Sequence, residues 1–237
     1  MQSSQTYDFS GGEVLLIDKP SGWTSFDVVN KIRYMIRFEA GIKKIKVGHA
    51  GTLDPLATGL LLVCVGNATK RIHEFTGLDK EYTGTFFIGA TTPSFDLETE
   101  TDQQFATAHI TSEQIKKAAE AFTGPIQQVP PAYSAIKING TRSYRHARKN
   151  RNVNIPARDV IIHEFEILSA GIPETSFRVL CSKGTYIRSL ANDFGKYLNS
   201  GAYLQSLRRT RIGPYHIDQA MTLDTFKQQI SNTDTIL

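Results

Sequence analysis

The sequence predicts an α+β fold with a central, mixed but mostly antiparallel sheet and flanking helices. Two observations support this prediction. Helices and hairpin-like strand pairs are interleaved along the chain, without the strict strand–helix–strand repeat of a parallel α/β protein. The 237 residues are 40% hydrophobic and 21% charged, a globular composition that can bury a substantial core.

The first part of the chain alternates short apolar runs with one amphipathic helix. Pro20 ends the first strand, and Thr24 or Ser25 is the N-cap of the helix, since apolar residues follow at helical spacing. A glycine-rich loop then precedes a wholly apolar run, which is typical of a buried strand. The predicted elements are strand 13–20, helix 24–37, loop 48–59, strand 60–65, a short helix 68–75 and strand 82–90.

The second part begins with a polar, acidic stretch, 91–109, that lacks periodicity and is interpreted as a long exposed loop. Thr111 or Ser112 caps the next helix, and Asn139-Gly140 predicts a two-residue hairpin turn. The remaining predicted elements are helix 111–122, an antiparallel pair 159–168 and 175–182, helix 185–199, strand 203–213 and a terminal helix after Thr222.

Composition narrows the classes of protein. No apolar run is long enough for a membrane helix, and the polar start lacks the order of a secretion signal. We therefore expect a disordered tail at 1–11, one domain over 12–237 and no membrane association. Cys64 and Cys181 lie in separate apolar runs, which predicts no zinc site and a cytoplasmic protein. The net charge of +4 permits a polyanionic partner without requiring one.

Several common catalytic motifs are absent from the sequence. It contains no phosphate-binding G-x-x-x-x-G-K-[ST], no dinucleotide-binding G-x-G-x-x-G after a strand and no H-E-x-x-H. The H-x-E and P-C-x-x-C pair of the zinc deaminases is also missing. Chemistry driven by nucleotides, nicotinamide or zinc therefore lacks its usual support.

The loop 48-GHAGTLDPLATG-59 contains the strongest candidate for chemistry. Its glycines permit a close ligand approach, and Pro55 biases Asp54 toward an extended backbone. His49 lies five residues upstream. An ordinary turn, in which Asp54 is only a cap, explains these residues equally well when they are taken alone.

Seven segments resemble, in order, the bacterial tRNA pseudouridine-55 synthases of the TruB family. They cover the chain from about Gly12 to about Phe226, and the long strings around Asp54 and Arg188 are specific to this family. The segments are 18-DKPSGWTS-25, 47-VGHAGTLDPLATGLL-61, 66-GNATK-70, 79-DKEYTG-84, 130-PPAYSAIKINGTRSYRHAR-148, 182-SKGTYIRSLANDFG-195 and 207-LRRTRIG-213.

The resemblance implies a pseudouridine synthase fold with an active-site cleft and an isomerase that needs no cofactor. Asp54 matches the nucleophile of the family, a carboxylate that can attack and later depart. The C1′–N1 bond of the target uridine breaks, the uracil rotates, C5 bonds to C1′, and C5 loses its proton. Attack at C1′ and attack at C6 both remain open.

The resemblance also assigns roles around the nucleophile. Tyr82 matches the aromatic residue on the target base, and Arg188 matches the arginine that pairs with the catalytic carboxylate. Tyr186 and Leu207 match residues that line the pocket of the flipped uridine.

Further matched residues are expected to contact the RNA. His49 matches the residue that fills the space left by flipped bases. Lys19 and Lys183 are expected near phosphates or at the rim of the site. The basic run 142–151, accompanied by Lys137 and the pair 208-RR-209, is interpreted either as a solvated helix face or as a phosphate contact.

Two departures from the family pattern qualify these expectations. The chain ends at Leu237 without the C-terminal RNA-binding domain of the PUA type, and 91-TTPSFDLETE-100 replaces a different loop motif. We expect a monomer that acts on the tRNA T-arm without an obligatory protein partner. A tRNA-folding chaperone, a nucleoside hydrolase and a guide-RNA-dependent relative are the alternatives. The hydrolase lacks a second carboxylate near the loop, and the short chain weighs against the guide-dependent enzyme.

Overall fold

A computed structural model describes residues 7–134, 136–138, 140–144 and 154–231. The chain divides into two compact units. Unit 1 comprises residues 1–80 and 208–237, and unit 2 comprises residues 81–207. In the described part of the chain, no helix has the length and apolar character needed to cross a membrane.

The described helices and strands follow the predicted order. In chain order they are β1 (Glu13–Lys19), α1 (Ser25–Glu39), β2 (Val47–His49), β3 (Thr58–Val65), a 3-10 helix (Gly66–Arg71), α2 (Ile72–Thr76), β4 (Lys80–Ile88), β5 (Ala90–Thr91), β6 (Gln103–Gln104), α3 (Ser112–Ala121), β7 (Gly124–Gln128), β8 (Lys137–Ile138), β9 (Thr141–Arg142), β10 (Arg158–Ala170), β11 (Glu174–Cys181), α4 (Ile187–Tyr197), β12 (Ala202–Ile212), β13 (Tyr215–His216), a 3-10 helix (Ile217–Gln219) and α5 (Leu223–Ser231). The α+β prediction is confirmed.

Unit 1 is built around β3. Strands β1 and β2 both pair with β3 in the antiparallel sense, and the end of β12 pairs with its start in the parallel sense. Leu61 and Val63 point into a core formed with α1 and α5. Leu60 and Leu62 point into a second core, which includes Phe75 of α2. Burial on both faces explains why this run is apolar at every position.

The start of helix α1 is set by a capping box at Thr24. The Thr24 side chain accepts from the backbone N–H of Asp27, and the Asp27 carboxylate accepts from the Thr24 N–H, which completes a capping box. Thr24 is therefore the N-cap, and Ser25 is the first residue of the helix, with its side chain buried. This leaves the Ser25 hydroxyl available for another partner.

Unit 2 contains a layer of strands in the order β12-β4-β11-β10-β7, in which β10 pairs with both β11 and β7 in the antiparallel sense. Its core is aromatic: Phe86 and Phe177 stack with ring centroids 4.1 Å apart, and Phe165 and Phe194 pack around them. Strands β8 and β9 pair in the antiparallel sense, with Lys137 opposite Arg142, as expected for a hairpin with a tight turn. Gly140 has a φ of +80°, the left-handed value such a turn needs.

Two predictions differ from the structure. Residues 7–11 were predicted to belong to a disordered tail, but Tyr7 and Phe9 are 2% and 1% exposed in the core of unit 1, where they contact Phe226. The stretch 91–109 was predicted to be an exposed loop, but it carries the short β5–β6 pair and buried side chains. Local polarity concealed both features. Most of the basic run 142–151 lies outside the described residues.

Candidate active site

Asp54 lies in a tight turn between β2 and β3 of unit 1. The N–H of Ala57 donates to the Asp54 carbonyl at 3.1 Å, and Pro55 occupies the second position of this turn, which it favours. Gly51 and Gly59, at the two ends of the loop, have φ values of +98° and +99°. A Cβ on Gly59 would lie 2.3 Å from the Arg209 carbonyl oxygen, so no larger residue fits there.

The residue before Asp54 is held by a hydroxyl from α1. Ser25 Oγ donates to the Leu53 carbonyl at 3.1 Å and accepts from the Leu53 N–H at 2.8 Å. Both side chains are buried. One side chain therefore satisfies both backbone groups of Leu53. It thereby fixes the backbone from which the Asp54 side chain projects.

The residue after Asp54 is held by Lys19 at the end of β1. The Lys19 ammonium donates to the carbonyls of Pro55 at 3.2 Å, Pro20 at 2.8 Å and Trp23 at 2.6 Å. Its side chain is fully buried, so its donors are directed to the backbone and away from solvent. Lys19 therefore supports the loop, in contrast to the phosphate or rim contact expected from sequence.

Arg209 supports the start of the same loop. Its guanidinium donates to the Gly51 carbonyl at 3.1 Å and to the Leu60 carbonyl at 2.7 Å, and the residue is 1% exposed. Its neighbour Arg208 forms a two-point ion pair with Asp18, at 2.7 and 3.1 Å. In the sequence, the pair 208–209 accompanied the basic run 142–151, for which a solvated face and a phosphate contact were both open. The structure instead buries Arg209, because the alternation of β12 directs the two side chains to opposite faces.

Positive charge surrounds the Asp54 loop within unit 1. Burial lowers the pKa of Lys19 to about 8, an effect that the charge of Asp54 opposes and the charge of Arg209 adds to. Two buried cations thus lie on either side of the turn that carries the carboxylate. The charge of Lys19 interacts with that of Asp54, and the ionised carboxylate is the form a nucleophile requires.

His49 ends β2, five residues before Asp54. Its side chain is half-buried, and desolvation together with the charge of Arg209 lowers its pKa. The neutral imidazole is therefore the dominant form at pH 7. Its Nδ1 atom is buried and has no hydrogen-bond partner among the described residues.

In unit 2, Tyr186 is the N-cap residue of α4. The buried Gln128 side chain binds its backbone at both ends: Oε1 accepts from the Tyr186 N–H at 2.7 Å, and Nε2 donates to the Tyr186 carbonyl at 3.0 Å. The Arg158 guanidinium lies over the Tyr186 ring, 4.5 Å from its centroid. These contacts fix both the start of α4 and the plane of the tyrosine ring.

Arg188, in the first turn of α4, is buried and contacts the 91–109 stretch. Its Nε is 3.5 Å from the Asp96 carboxylate, and its guanidinium donates to the carbonyls of Ser94 at 3.2 Å and Tyr133 at 2.9 Å. Phe95 has a φ of +63°, which is strained for a bulky residue. This strained residue lies between Ser94 and Asp96, two of the three residues that contact Arg188.

The other predicted site residues of unit 2 lie on three different elements. Tyr82 is buried in β4, Leu207 is half-buried in β12, and Lys183 is exposed in the turn before α4. The structure therefore groups Lys19, His49 and Asp54 in unit 1, whereas Tyr186 and Arg188 share one end of α4 in unit 2.

Sequence reasoning missed four residues that hold these groups: Ser25, Asp96, Arg158 and Arg209. Ser25 and Arg209 had a usable signal, because they lie in the matched motifs 18–25 and 207–213. Ser25 also competes with Thr24 for the cap position. Asp96 lies in a stretch without periodicity. Charge alone does not distinguish Arg158 and Arg209 from solvated arginines.

Two family models match adjoining parts of the chain from residue 37 onward. The model of the TruB family pseudouridylate synthase N-terminal domain matches residues 37–187. The model of the tRNA pseudouridylate synthase B C-terminal domain matches residues 188–235. The two matches are contiguous and together include Asp54, Tyr82, Arg188 and Leu207.

Curated relatives and solved structures agree with this match. The chain is 55% identical to tRNA pseudouridine synthase B of Flavobacterium johnsoniae over 94% of its length and 98% of that protein. The corresponding protein of Phocaeicola vulgatus is 52% identical, with 96% and 97% covered. Among solved structures, a chain of a Cbf5-Nop10-Gar1 complex is 27% identical with a TM-score of 0.71. The match covers 96% of this chain and 61% of that one, and it confirms the predicted pseudouridine synthase fold.

Proposed function

The chain belongs to the TruB family of pseudouridylate synthases, and we propose that it isomerises uridine to pseudouridine at position 55 in the T-loop of tRNA. The observation that carries the proposal is the 55% identity to a tRNA pseudouridine synthase B across almost the full length of both proteins. The anchored turn around Asp54 supports it, because a nucleophile must be held in a fixed geometry.

Asp54 is the nucleophile in this proposal. Its carboxylate attacks the target nucleotide, the C1′–N1 bond breaks, and the uracil rotates within its pocket. The C5–C1′ bond then forms, C5 loses a proton, and N1 gains one. The carboxylate is released, so the reaction is redox-neutral and all atoms of the uridine are retained in the product.

The resemblance assigns the remaining roles, and the local geometry of each unit is compatible with them. Arg188 is the cation that pairs with Asp54 and keeps it ionised and aimed. Tyr82 packs on the base and takes part in removing the C5 proton. Tyr186 and Leu207 line the pocket, and the rigid plane of the Tyr186 ring suits a base-stacking role.

Two residues outside the pocket contact RNA in the proposal. His49, which is uncharged at neutral pH, fills the space left by the flipped bases. Lys183, which is exposed in its turn, contacts a phosphate. Lys19 acts through the backbone of the Asp54 loop and is a positioning residue.

The proposed cellular location and oligomeric state follow from the proposed tRNA substrate. We propose a cytoplasmic enzyme that acts as a monomer on the T-arm. The solved relative in the Cbf5-Nop10-Gar1 complex is bound to partner proteins. At 27% identity, however, it is more distant than the tRNA pseudouridine synthase B relatives, which are 52% and 55% identical.

The direct test is incubation of the purified protein with an unmodified tRNA transcript, without any cofactor, followed by mapping of pseudouridine at every uridine. We expect modification at position 55 and no free uracil. A transcript with cytidine at position 55 is the matched control and should remain unmodified. Release of uracil would instead indicate a nucleoside hydrolase, and modification elsewhere in the control would contradict the assigned target.

A further inference from the structure

Helix α1 of unit 1 exposes three aromatic rings to solvent. Phe26, Tyr34 and Phe38 are 61%, 53% and 64% exposed, although the opposite face of the helix is fully buried in the core. An amphipathic helix ordinarily presents polar side chains to water. A cluster of exposed aromatic side chains therefore marks this face as a candidate interaction surface.

Two of these rings contact each other in a tilted pair. Tyr34 and Phe38, one turn apart, have ring centroids 4.3 Å apart and an interplanar angle of 34°. The ammonium of Lys31 lies 5.8 Å from the centroid of the Tyr34 ring. Exposed aromatic rings beside a cation are the arrangement on which proteins stack unpaired nucleobases.

The charge of the same region favours a polyanion. Residues 26–46 contain six basic and two acidic residues, a formal charge of +4 that equals the charge of the whole chain. The Asp27 carboxylate accepts from Thr24 at 2.9 Å, and the Glu39 carboxylate accepts from Ser231 at 3.2 Å. Both acidic groups are thus engaged within unit 1. The basic residues are Lys31, Arg33, Arg37, Lys43, Lys44 and Lys46.

A cavity adjoins this region. It has a volume of about 550 Å³, and Lys31 lines it together with Trp23, Thr58 and Arg208. This volume is within the usual range of small-ligand sites and can admit a nucleobase. Lys31 therefore lies between the Tyr34 ring and a cavity whose wall includes the indole of Trp23 and the guanidinium of Arg208.

We propose that the exposed face of α1 and the segment that follows it, up to Lys46, form a second tRNA-binding surface. An unpaired base of the substrate stacks on the Tyr34–Phe38 pair, and Lys43 and Lys44 meet the adjoining phosphates. The inference rests on the proposed function, because it takes tRNA as the ligand. A protein partner fits less well, since the cores of protein interfaces are depleted of charged residues.

The test measures binding of fluorescently labelled, unmodified tRNA as a function of salt. We expect Tyr34→Ala/Phe38→Ala to weaken binding about tenfold, as the loss of one base stack predicts, with an unchanged salt slope. We expect Lys43→Ala/Lys44→Ala to weaken binding and to reduce the slope of log K against log salt by about 1 to 2. In steady-state assays, the loss of tRNA affinity should raise KM and leave kcat unchanged.

Matched controls come from unit 2. Tyr197→Ala removes a ring that is 51% exposed on α4, and Lys116→Ala/Lys117→Ala removes two exposed lysines of α3. Both should bind tRNA like the unsubstituted protein. Unchanged affinity of the two α1 variants would overturn the inference, as would an aromatic variant that alters only self-association in sedimentation. Failure of the proposed function is seen separately, as absence of pseudouridine despite normal tRNA binding.

Discussion

The hydroxyl of Ser25 makes two hydrogen bonds with the backbone of Leu53, at 2.8 and 3.1 Å, across 28 residues of sequence. It thereby links the first turn of α1 to the residue that precedes Asp54. The link exists because Thr24 takes the capping role and leaves the Ser25 side chain free to turn inward. The orientation of the nucleophile is therefore part of the packing of α1.

Replacing Ser25 by alanine should slow catalysis more than it weakens substrate binding. The change leaves two buried backbone groups of Leu53 without partners, which costs about 1–3 kcal/mol of stability, and it loosens the loop of Asp54. We expect the single-turnover rate of pseudouridine formation to fall about tenfold or more, since small misplacements of a reacting group are costly.

Ser21→Ala is the matched control for this change. Ser21 Oγ reaches the Leu56 carbonyl of the same loop at 3.4 Å, but from an exposed position, so its loss should have little effect on rate. Equal single-turnover rates for Ser25→Ala and the unsubstituted protein would show that this hydroxyl does not position Asp54.

Asp96→Asn should lower the rate through Arg188. The Asp96 and Arg188 side chains are 7% and 3% exposed, with 3.5 Å between Arg188 Nε and the carboxylate. Removing one charge of a buried ion pair has a large effect. We expect a drop in kcat of about tenfold to a hundredfold with tRNA affinity within a factor of two, measured by single-turnover kinetics and by direct binding.

Asp102→Asn controls for loss of charge in the same stretch, because Asp102 accepts from Thr91 at an exposed position. It should react at the normal rate. If Asp96→Asn also turned over normally, Arg188 would not depend on this carboxylate.

Lys19 predicts a pH dependence of stability. Its pKa is about 8 in the folded protein and 10.5 as the reference value, so between these values the unfolded chain holds more protons. The contribution of Lys19 to the free energy of unfolding is therefore unfavourable below pH 8 and improves as pH rises toward 10.5, by at most about 1.4 kcal/mol per pH unit.

Denaturant unfolding from pH 7 to 10 checks this prediction. The free energy of unfolding of the unsubstituted protein, minus that of Lys19→Met, should rise with pH above 8. The exposed-lysine variant Lys116→Met provides the reference for loss of a lysine elsewhere. Parallel curves for the unsubstituted protein and Lys19→Met would contradict the assigned burial of the ammonium.

The sequence predicted those parts of the fold in which local pattern and tertiary environment agree. The 60–65 run is apolar at every position because both faces of β3 are buried, and α1 has a period that matches its one buried face. The tail residues Tyr7 and Phe9 could not be placed, since two aromatic residues in a polar stretch carry no periodicity.

The sequence predicted the reacting groups of the candidate site but not the residues that hold them in place. Asp54 and Arg188 lie in long, specific motifs. Asp96 depends on a strained turn at Phe95, and Arg209 depends on which face of β12 is buried, neither of which can be read from a single sequence. The residues that hold the reacting groups do so through tertiary contacts between distant parts of the sequence, whereas the motifs are local.

The most direct test of the central claim is the extent of pseudouridine formed at tRNA position 55 by Asp54→Asn at saturating enzyme. Asparagine is nearly isosteric and keeps the turn, but its amide is a poor nucleophile. We predict no pseudouridine at this position over many half-lives of the unsubstituted reaction, with tRNA affinity essentially retained. Pseudouridine formation by Asp54→Asn at a substantial fraction of the normal rate would contradict the assignment of Asp54 as the nucleophile.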